Sequence, residues 1–326
     1  MGENSGIQWT THTFNPWVGC QRVSPGCVNC YAEAYDKRVG GLPKNQRKDP
    51  AVAELRWGPK APRVRTSLAN WKKPIAWNAA AELAGERHRV FCASLSDVFE
   101  EHGSIEPRWR LELFSLIRQT PQLDWLLLTK RPEAITRVLE SVLALSACSR
   151  SGDDRRGYVS SDDAFVETRL WVSMWLSGKA PANVWLGTTV EDQQRANERI
   201  PELVKVPAVV RFLSIEPLLE PVYLGAHVWP GDLHWMIIGG ESGGNARPFH
   251  LEWARSLVRQ ARDVRAAPFV KQMGARPVFA PGDLSVSRWR LLSENVVDAK
   301  HTRFLDPAGG EMADWPEDIR VREFPR

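Results

Sequence analysis

The chain has 326 residues, of which 43% are hydrophobic and 25% are charged, and its formal net charge is +4. This length and composition are typical of a globular protein that buries a substantial core without disulfide bonds. We expect a cytoplasmic protein with no membrane span, because the sequence lacks both a run of about 18 apolar residues and the pattern of a signal peptide.

The predicted elements begin with a strand over residues 15–20 and a helix over 31–39, on either side of a cysteine-containing loop. From residue 88 onward, short apolar runs alternate with amphipathic stretches, which is typical of parallel βα units. The apolar runs predict strands over 89–94, 124–129, 184–188, 209–215, 234–239 and 268–271. The amphipathic stretches predict helices over 107–119, 193–204 and 251–264.

About seven strands are therefore predicted, and the fold class is α/β. We expect a partial or complete (β/α) barrel with insertions over residues 1–275, although a doubly wound sheet would fit the same alternation. Two segments interrupt the pattern, a basic insertion at about 40–80 and a second insertion at about 147–180. Residues 276–326 are predicted to form a loop-rich C-terminal extension.

Three of the five cysteines lie within eleven residues, in the spacing C-x6-C-x2-C formed by Cys20, Cys27 and Cys30. An odd number of cysteines in a cytoplasmic chain argues against a disulfide framework and favours metal or redox chemistry. Thiolates at this density can bind one iron–sulfur cluster, and three of them leave one iron of a [4Fe-4S] cluster open for chemistry. The alternatives are a structural zinc ion, with His12 or Cys92 as its fourth ligand, and no metal at all.

Sequence motifs along nearly the whole chain carry a resemblance to a known family. They are IQWT, TFNPW, GC and VSPGCVNCYAE around the cysteines, followed by SLSD, LLTKRP, LGTTVE, LSIEPL, IGGESG and FVKQ. In this order they resemble a phage-associated, radical SAM-like protein family of unknown function. The resemblance implies a radical SAM-like barrel that holds a [4Fe-4S] cluster on Cys20, Cys27 and Cys30 and uses S-adenosylmethionine (SAM).

The resemblance also implies a reaction. In radical SAM enzymes the open iron chelates the amino and carboxylate groups of SAM, and one electron from an external donor cleaves a sulfur–carbon bond to give a 5′-deoxyadenosyl radical. Two features depart from the common pattern. Six residues rather than three separate the first two cysteines, and Asn29 stands before the third cysteine, where an aromatic residue is usual.

Polar side chains follow the predicted strands, at the edge where parallel barrels collect their functional residues. The predicted SAM-binding residues are Asp97, Lys130, Arg131, Thr189, Glu191, Glu216 and Glu241. Asp97 could pair with the ammonium of SAM. Lys130 and Arg131 could bind the carboxylate of SAM or a phosphate of the substrate. The threonine and glutamate after the fourth strand could bond ribose hydroxyls. Glycines around Glu241 would let the backbone approach an adenine or a sugar closely.

The segment 37–73 carries eleven lysines or arginines and two acidic residues, a local charge of +9. Trp57 and Trp71 lie in it, and Trp77 lies just beyond it. Such a stretch could follow a phosphate backbone while tryptophans stack on bases, so we expect a nucleic acid or nucleotide substrate. A solvated loop with core tryptophans fits the same residues. The alternative functions are a radical SAM enzyme acting on a peptide or small molecule, and a zinc-stabilised nucleic-acid-binding protein without catalysis.

Overall fold

The computed structural model of the chain describes residues 2–39, 56–145, 162–225, 228–279, 306 and 308–325. The chain divides into two compact units. The first consists of Met1–Val23, Cys30–Leu186 and Lys205–Val209, and the second of Ser24–Asn29, Gly187–Val204 and Val210–Arg326. In the part of the chain that the structure describes, no helix is long and apolar enough to cross a membrane.

Parallel strands form the centre of the first unit. Its strands are β1 (His12–Phe14), β2 (Trp17–Val18), β3 (Val64–Arg65), β4 (His88–Cys92) and β5 (Leu123–Thr129). β4 lies between β1 and β5 and is parallel to both, whereas β2 and β3 form a separate antiparallel pair. β6 (Val184–Thr189) contributes residues 184–186 to the first unit and 187–189 to the second. Most residues of β5 and all residues of β6 are buried, as expected for strands covered on both faces.

The described helices of the first unit are α1 (Tyr31–Val39), α2 (Leu68–Ala84), α3 (Pro107–Gln119), α4 (Ile135–Leu143) and α5 (Asp162–Leu176). α2 begins after Ser67, whose side chain accepts a hydrogen bond from the backbone N–H of Asn70. It ends at Gly85, which adopts a left-handed conformation with φ of 67°. α5 packs against α3, where two tryptophan rings of α5 contact Phe114.

The second unit is built on β7 (Val210–Ile215), β8 (Trp235–Gly239) and β10 (Ala267–Gln272), with β8 in the middle and both pairs parallel. β9 (Phe249–His250) and β11 (Pro277–Val278) form a second parallel pair. The described helices of this unit are α6 (Gln193–Lys205), which ends at the boundary of the first unit, and α7 (Leu251–Asp263). The apolar residues of α7 recur at helical spacing and are buried, namely Leu251, Ala254, Leu257, Val258 and Ala261.

The described C-terminal residues pack within the second unit. Val321 O accepts a hydrogen bond from Val270 N at 2.8 Å, and Glu323 O accepts one from Trp235 Nε1 at 2.8 Å. Between β11 and the C-terminus the described part consists of loops and two short 3-10 turns, Met312–Asp314 and Glu317–Ile319. Residues 280–305 of the predicted C-terminal extension lie outside the described residues, and the extension stays a prediction.

The α/β class and the parallel strands are confirmed, and every predicted strand from residue 88 onward lies within two residues of an observed one. The first strand of the parallel sheet is a correction, because β1 precedes the predicted segment 15–20, which contains the short antiparallel strand β2 instead. Pro16 has no N–H to donate to a neighbouring strand. Asn15 instead uses its side chain, which accepts a hydrogen bond from Leu95 N at 2.6 Å and donates one to Ser94 Oγ at 2.9 Å.

The predicted insertions contain more helix than the sequence pattern indicates. α2 occupies much of the described part of the basic insertion, and α5 fills most of the described part of the second one. Residues 40–55 and 146–161 lie outside the described residues. A closed barrel stays a prediction, as do the domain boundaries.

His12 in β1 is buried with only 3% of its surface exposed, and its ring stacks on Trp77 with centroids 4.4 Å apart. Its Nε2 lies 3.1 Å from Nδ1 of His88. Burial, with the charge of His88, lowers the pKa of His12 from 6.5 to about 4. The unfolded chain takes up this proton as the pH falls through about 6.5, whereas the folded chain does not until about pH 4. The contribution of neutral His12 to the free energy of unfolding is therefore fully present above pH 6.5 and is lost progressively below it.

We expect His12→Phe to remove this acid-dependent loss, because phenylalanine keeps a stacking ring but cannot be protonated. The wild-type chain should lose roughly 3 kcal/mol of unfolding free energy between pH 7 and pH 4 that the variant keeps. Urea unfolding at both pH values measures it. His250→Phe is a matched control, since His250 also stacks on a tryptophan, Trp253. An equal acid-dependent loss in His12→Phe and wild type would contradict the prediction.

Candidate functional site

The first unit places Cys20 beside polar residues that follow β4 and β5. Arg131, two residues after β5, has Nη1 at 3.8 Å from Cys20 Sγ and donates a hydrogen bond from this nitrogen to Asp97 Oδ2 at 2.8 Å. Asp97 also accepts a hydrogen bond from Thr129 Oγ1 at 2.8 Å. Two residues predicted from the strand-end pattern, Asp97 and Arg131, therefore meet near the first predicted metal ligand.

The surroundings of Cys20 favour the thiol over the thiolate. Burial is the main cause that raises the pKa of Cys20 to about 12; Glu100 and Asp97 act in the same direction, and Arg131 opposes them. Burial alone would lower the pKa of Arg131, but Asp97, Cys20 and Glu100 raise it above its ordinary value. Because metals bind thiolates, a metal at Cys20 must displace this proton.

A buried ion pair holds Gln21, the residue after Cys20. Glu100 Oε1 accepts a hydrogen bond from Gln21 N at 3.1 Å, and Arg131 Nη2 donates one to Gln21 O at 3.1 Å. Arg63 binds Glu100 through two hydrogen bonds of 2.7 Å, and both of these side chains are 0% exposed. Charged side chains thus fix both backbone groups of Gln21.

The second unit holds Gly26, the residue before Cys27. Glu191 follows β6 and is 0% exposed; its Oε1 accepts a hydrogen bond from Gly26 N at 3.2 Å. Its Oε2 accepts one from Arg199 Nη1 at 2.8 Å, and the same nitrogen donates to Thr189 O at 2.8 Å. The predicted residues Thr189 and Glu191 therefore belong to one hydrogen-bonded group with the backbone beside Cys27.

The second unit also holds Asn29, the residue before Cys30. Asn29 Nδ2 donates a hydrogen bond to Glu241 Oε2 at 2.9 Å. Arg247 binds both oxygens of Glu241, at 2.6 and 3.0 Å, and its Nη1 donates to Pro25 O at 2.9 Å. Although burial raises the pKa of Glu241, the hydrogen bonds from Arg247 and Asn29 lower it below its ordinary value, so the carboxylate is ionised at neutral pH.

Three glutamate–arginine pairs therefore hold the cysteine loop (residues 19–33), and we call them the carboxylate clamps. The pairs are Glu100–Arg63, Glu191–Arg199 and Glu241–Arg247. The loop residues that they hold are Gln21, Gly26 and Asn29. Each of these loop residues is the direct sequence neighbour of one of the three cysteines. The clamps thus hold a residue next to every predicted metal ligand, through the backbone N–H of Gln21 and Gly26 and through the side-chain amide of Asn29.

Sequence reasoning finds only part of the clamps. Glu191 and Glu241 are predicted because they follow strands, but their contacts here are with the loop and with arginines, and a role in SAM binding stays a prediction. Glu100 and Arg63 are not predicted, and 37 residues separate them. Arg199 had a usable signal, because it lies eight residues after Glu191, on the helix that follows β6.

The other predicted site residues are distributed over both units. In the first unit, Lys130 donates its backbone N–H to Asp97 Oδ2 at 3.2 Å, and the lysine is partly exposed. In the second unit, Glu216 follows β7 and pairs with Lys271 of β10 at 2.6 Å. These two pairs show that the polar residues after the strands bind one another as well as the cysteine loop.

The cysteine thiols fit an iron–sulfur cluster or a zinc ion by their chemistry, since both take cysteine thiolates. Cys27 is buried, with Sγ 3.8 Å from Ser24 Oγ, and Cys30 packs against the apolar group of Val18, Ala32 and Leu95. Among the residues that the structure describes, no group of three or more His, Cys, Asp or Glu side chains is placed to hold a metal ion.

The two residues considered as a fourth zinc ligand are both in the core of the first unit. Cys92 is fully buried in β4, where burial raises the pKa of its thiol. His12 is fixed between Trp77 and His88. Binding zinc would require either side chain to leave its packing, and this weighs against the zinc alternative.

Carboxylates neutralise part of the positive charge in the described part of the basic segment 37–73. Three of its arginines form ion pairs, which are Arg56–Asp36, Arg63–Glu100 and Arg65–Glu112. Trp71 and Trp77 are buried, at 0% and 4% exposure, so these two tryptophans belong to the core and do not offer stacking surfaces. Its exposed cations include Lys60, Lys72 and Lys73.

The contact between Gly26 and Glu191 is too tight to accept a side chain unless Glu191 moves. A Cβ at position 26 would lie 3.0 Å from both Cδ and Oε1 of Glu191, which is buried and ion-paired. We therefore expect Gly26→Ala to destabilise the fold by about 1–3 kcal/mol through overpacking. Thermal unfolding of the variant measures this. Gly103→Ala is the control, because a Cβ there meets nothing within 4 Å. Equal melting temperatures of the two variants would refute the close contact.

The cysteine loop and the strands around it lie inside a region shared with other proteins. A family model described as a protein of unknown function (DUF5131) matches residues 4–306. Comparison with curated proteins and with solved structures gave no match. Because the family model covers nearly the whole chain, including all three carboxylate clamps, the chain belongs to the DUF5131 family.

Proposed function

We propose that this chain is a radical SAM-type enzyme that binds a [4Fe-4S] cluster through Cys20, Cys27 and Cys30 and cleaves SAM. The observation that carries the proposal is that a carboxylate clamp holds the residue next to each of the three cysteines, through the backbone N–H of Gln21 and Gly26 and through the side-chain amide of Asn29. Buried ion pairs add little net stability, because their desolvation offsets their attraction. Their position beside every cysteine is better explained by a need to orient metal ligands.

The proposed cofactors determine what the protein residues must do. When bound, the cluster would supply the electron, taken from an external donor, that splits SAM into methionine and a 5′-deoxyadenosyl radical. Arg131 provides a positive charge next to Cys20 and would stabilise the thiolate once its proton has left. Asp97, held by this arginine, is the proposed partner for the SAM ammonium. Lys130, whose side chain is partly exposed, is the proposed partner for its carboxylate.

We propose a nucleic acid or nucleotide as the substrate, with a peptide or small molecule as the alternative. The support is electrostatic, because Lys60, Lys72 and Lys73 are exposed and form no ion pair with a carboxylate that the structure describes. Exposed lysines of this kind bind phosphates without regard to base sequence.

Metal analysis and a SAM-cleavage assay test the proposal together. Protein purified and reconstituted without oxygen should be brown and hold about four irons with matching sulfide. With a reductant and SAM it should form 5′-deoxyadenosine and methionine. One zinc per chain, without inorganic sulfide and without SAM cleavage, would overturn the proposal in favour of a zinc-stabilised protein.

We expect the double variant Lys72→Glu, Lys73→Glu to bind single-stranded DNA more weakly, because two cations that contact phosphates would become anions. The slope of log affinity against log salt should fall by roughly 1–2. Anisotropy titrations at several salt concentrations measure this. Lys179→Glu with Arg259→Glu is the control, since it reverses two exposed charges elsewhere. An unchanged salt slope in the first variant would remove lysines 72 and 73 from the proposed interface.

A further inference from the structure

An ion pair at the carboxyl ends of the second unit's strands has a feature that the proposed function does not use. Lys271 Nζ, in β10, donates a hydrogen bond to Oε2 of Glu216, the residue after β7, at 2.6 Å. The two side chains are 21% and 12% exposed. Gly239 ends the intervening strand β8, and a Cβ there would lie 3.3 Å from Glu216 Cγ. The glycine therefore leaves room for the glutamate to sit across the strand end.

The second oxygen of Glu216 has no partner within the described chain. Its Oε1 is buried and accepts no hydrogen bond from any residue that the structure describes. A buried carboxylate oxygen without a donor is unfavourable, and such groups in folded proteins usually have a partner. The orphaned oxygen therefore indicates a ligand that donates an N–H or O–H.

The ammonium of Lys271, beside Glu216, sets a second requirement for the ligand. Lys271 has three N–H donors and gives one of them to Glu216, which leaves donors for an acceptor on the ligand. Both oxygens of Glu216 are on one carbon, so the orphaned oxygen is next to the ammonium. A fitting ligand therefore carries a donor and an acceptor on neighbouring atoms.

We propose that Glu216 and Lys271 bind the lactam edge of a nucleobase, in which an N–H lies beside a carbonyl, as in thymine, uracil and guanine. The N–H would donate to Glu216 Oε1, and the carbonyl would accept from Lys271. A ribose diol also places a donor beside an acceptor, but a carbonyl is a better acceptor for an ammonium than a hydroxyl is. The proposal rests on the proposed function only for the fate of the bound base, because binding itself needs no SAM cleavage.

Fluorescence anisotropy with labelled hexanucleotides tests the proposal on the full-length protein. The iron content of each protein sample is measured before the titration. We expect the thymidine hexamer to bind about tenfold more tightly than a hexamer of N3-methylthymidine, which lacks the donor. Glu216→Gln should abolish this preference, because its amide oxygen would face Lys271 and its NH2 would meet the base N–H. Glu252→Gln, on an exposed glutamate of the same unit, is the matched control and should keep the preference.

Equal binding of the two hexamers to the wild-type chain would overturn the proposal, and so would a preference that Glu216→Gln leaves intact. A cytidine ribohexamer that binds where the thymidine hexamer does not would assign the pair to a ribose diol and also overturn it. The experiment distinguishes this proposal from the proposed function. If the protein holds no iron but prefers the unmethylated hexamer, nucleobase binding by Glu216 and Lys271 stands although the radical SAM proposal fails. If the protein cleaves SAM but shows no such preference, the radical SAM proposal stands and nucleobase binding by this pair is wrong.

Discussion

Cys27→Ala should remove the brown colour of anaerobically reconstituted protein and reduce SAM cleavage to background. Cys27 is buried at the end of the 3-10 turn Pro25–Cys27, and clamps hold Gly26 before it and Asn29 after it. These contacts, to the Gly26 backbone and the Asn29 side chain, leave little freedom for another thiol to take the place of Cys27. We therefore expect bound iron to fall from about four per chain to below about one. The visible absorption spectrum, metal analysis and the 5′-deoxyadenosine assay measure the three effects.

Cys148→Ala is the control for this experiment, because Cys148 stands outside the cysteine loop. It should keep the colour, the iron and the cleavage. Loss of all three in Cys27→Ala with an unchanged melting temperature would place the defect at the metal centre. Cleavage retained in Cys27→Ala would contradict the three-cysteine cluster directly. Iron lost equally from the control would point to a general effect of thiol removal.

The strands from residue 88 onward are predictable because each is a short buried run bounded by polar residues. The first strand is not, since Pro16 and the side-chain bonds of Asn15 end it earlier than its apolar content indicates. α2 had a signal that the basic composition of the segment 37–73 obscures. Its buried residues Trp71, Pro74, Trp77 and Ala81 recur at helical spacing.

The candidate site divides in the same way. Asp97, Arg131, Glu191 and Glu241 are predictable because each follows a parallel strand, and functional residues of such folds commonly follow the strands. Their partners are not predictable from local pattern. Arg63, for example, reaches Glu100 across 37 residues of chain, and nothing in the basic run around it distinguishes it from the exposed cations nearby. Pairing over such distances depends on the packed fold.

We expect Arg63→Ala to be strongly destabilising, by about 3–5 kcal/mol, because it leaves Glu100 buried without its main countercharge. Arg63 also donates hydrogen bonds to the carbonyl oxygens of Gly58 and Ala61, which would lose their donor. Thermal and urea unfolding measure the loss. The control is Arg137→Ala, which removes a similar ion pair with the adjacent Glu101. The side chains of Arg137 and Glu101 are 55% and 52% exposed, so we expect this variant to lose at most about 1 kcal/mol of unfolding free energy.

The double variant Arg63→Met, Glu100→Met separates the cost of an unpaired charge from the value of the pair. Replacing both ions by apolar side chains of similar length should recover most of the lost stability, because no buried charge then lacks a partner. The clamp on Gln21 would nevertheless be gone, since Glu100 accepts the Gln21 N–H. We therefore expect a stable protein that holds less iron than wild type. Full iron content in the double variant would show that Glu100 serves the fold alone and does not orient Cys20.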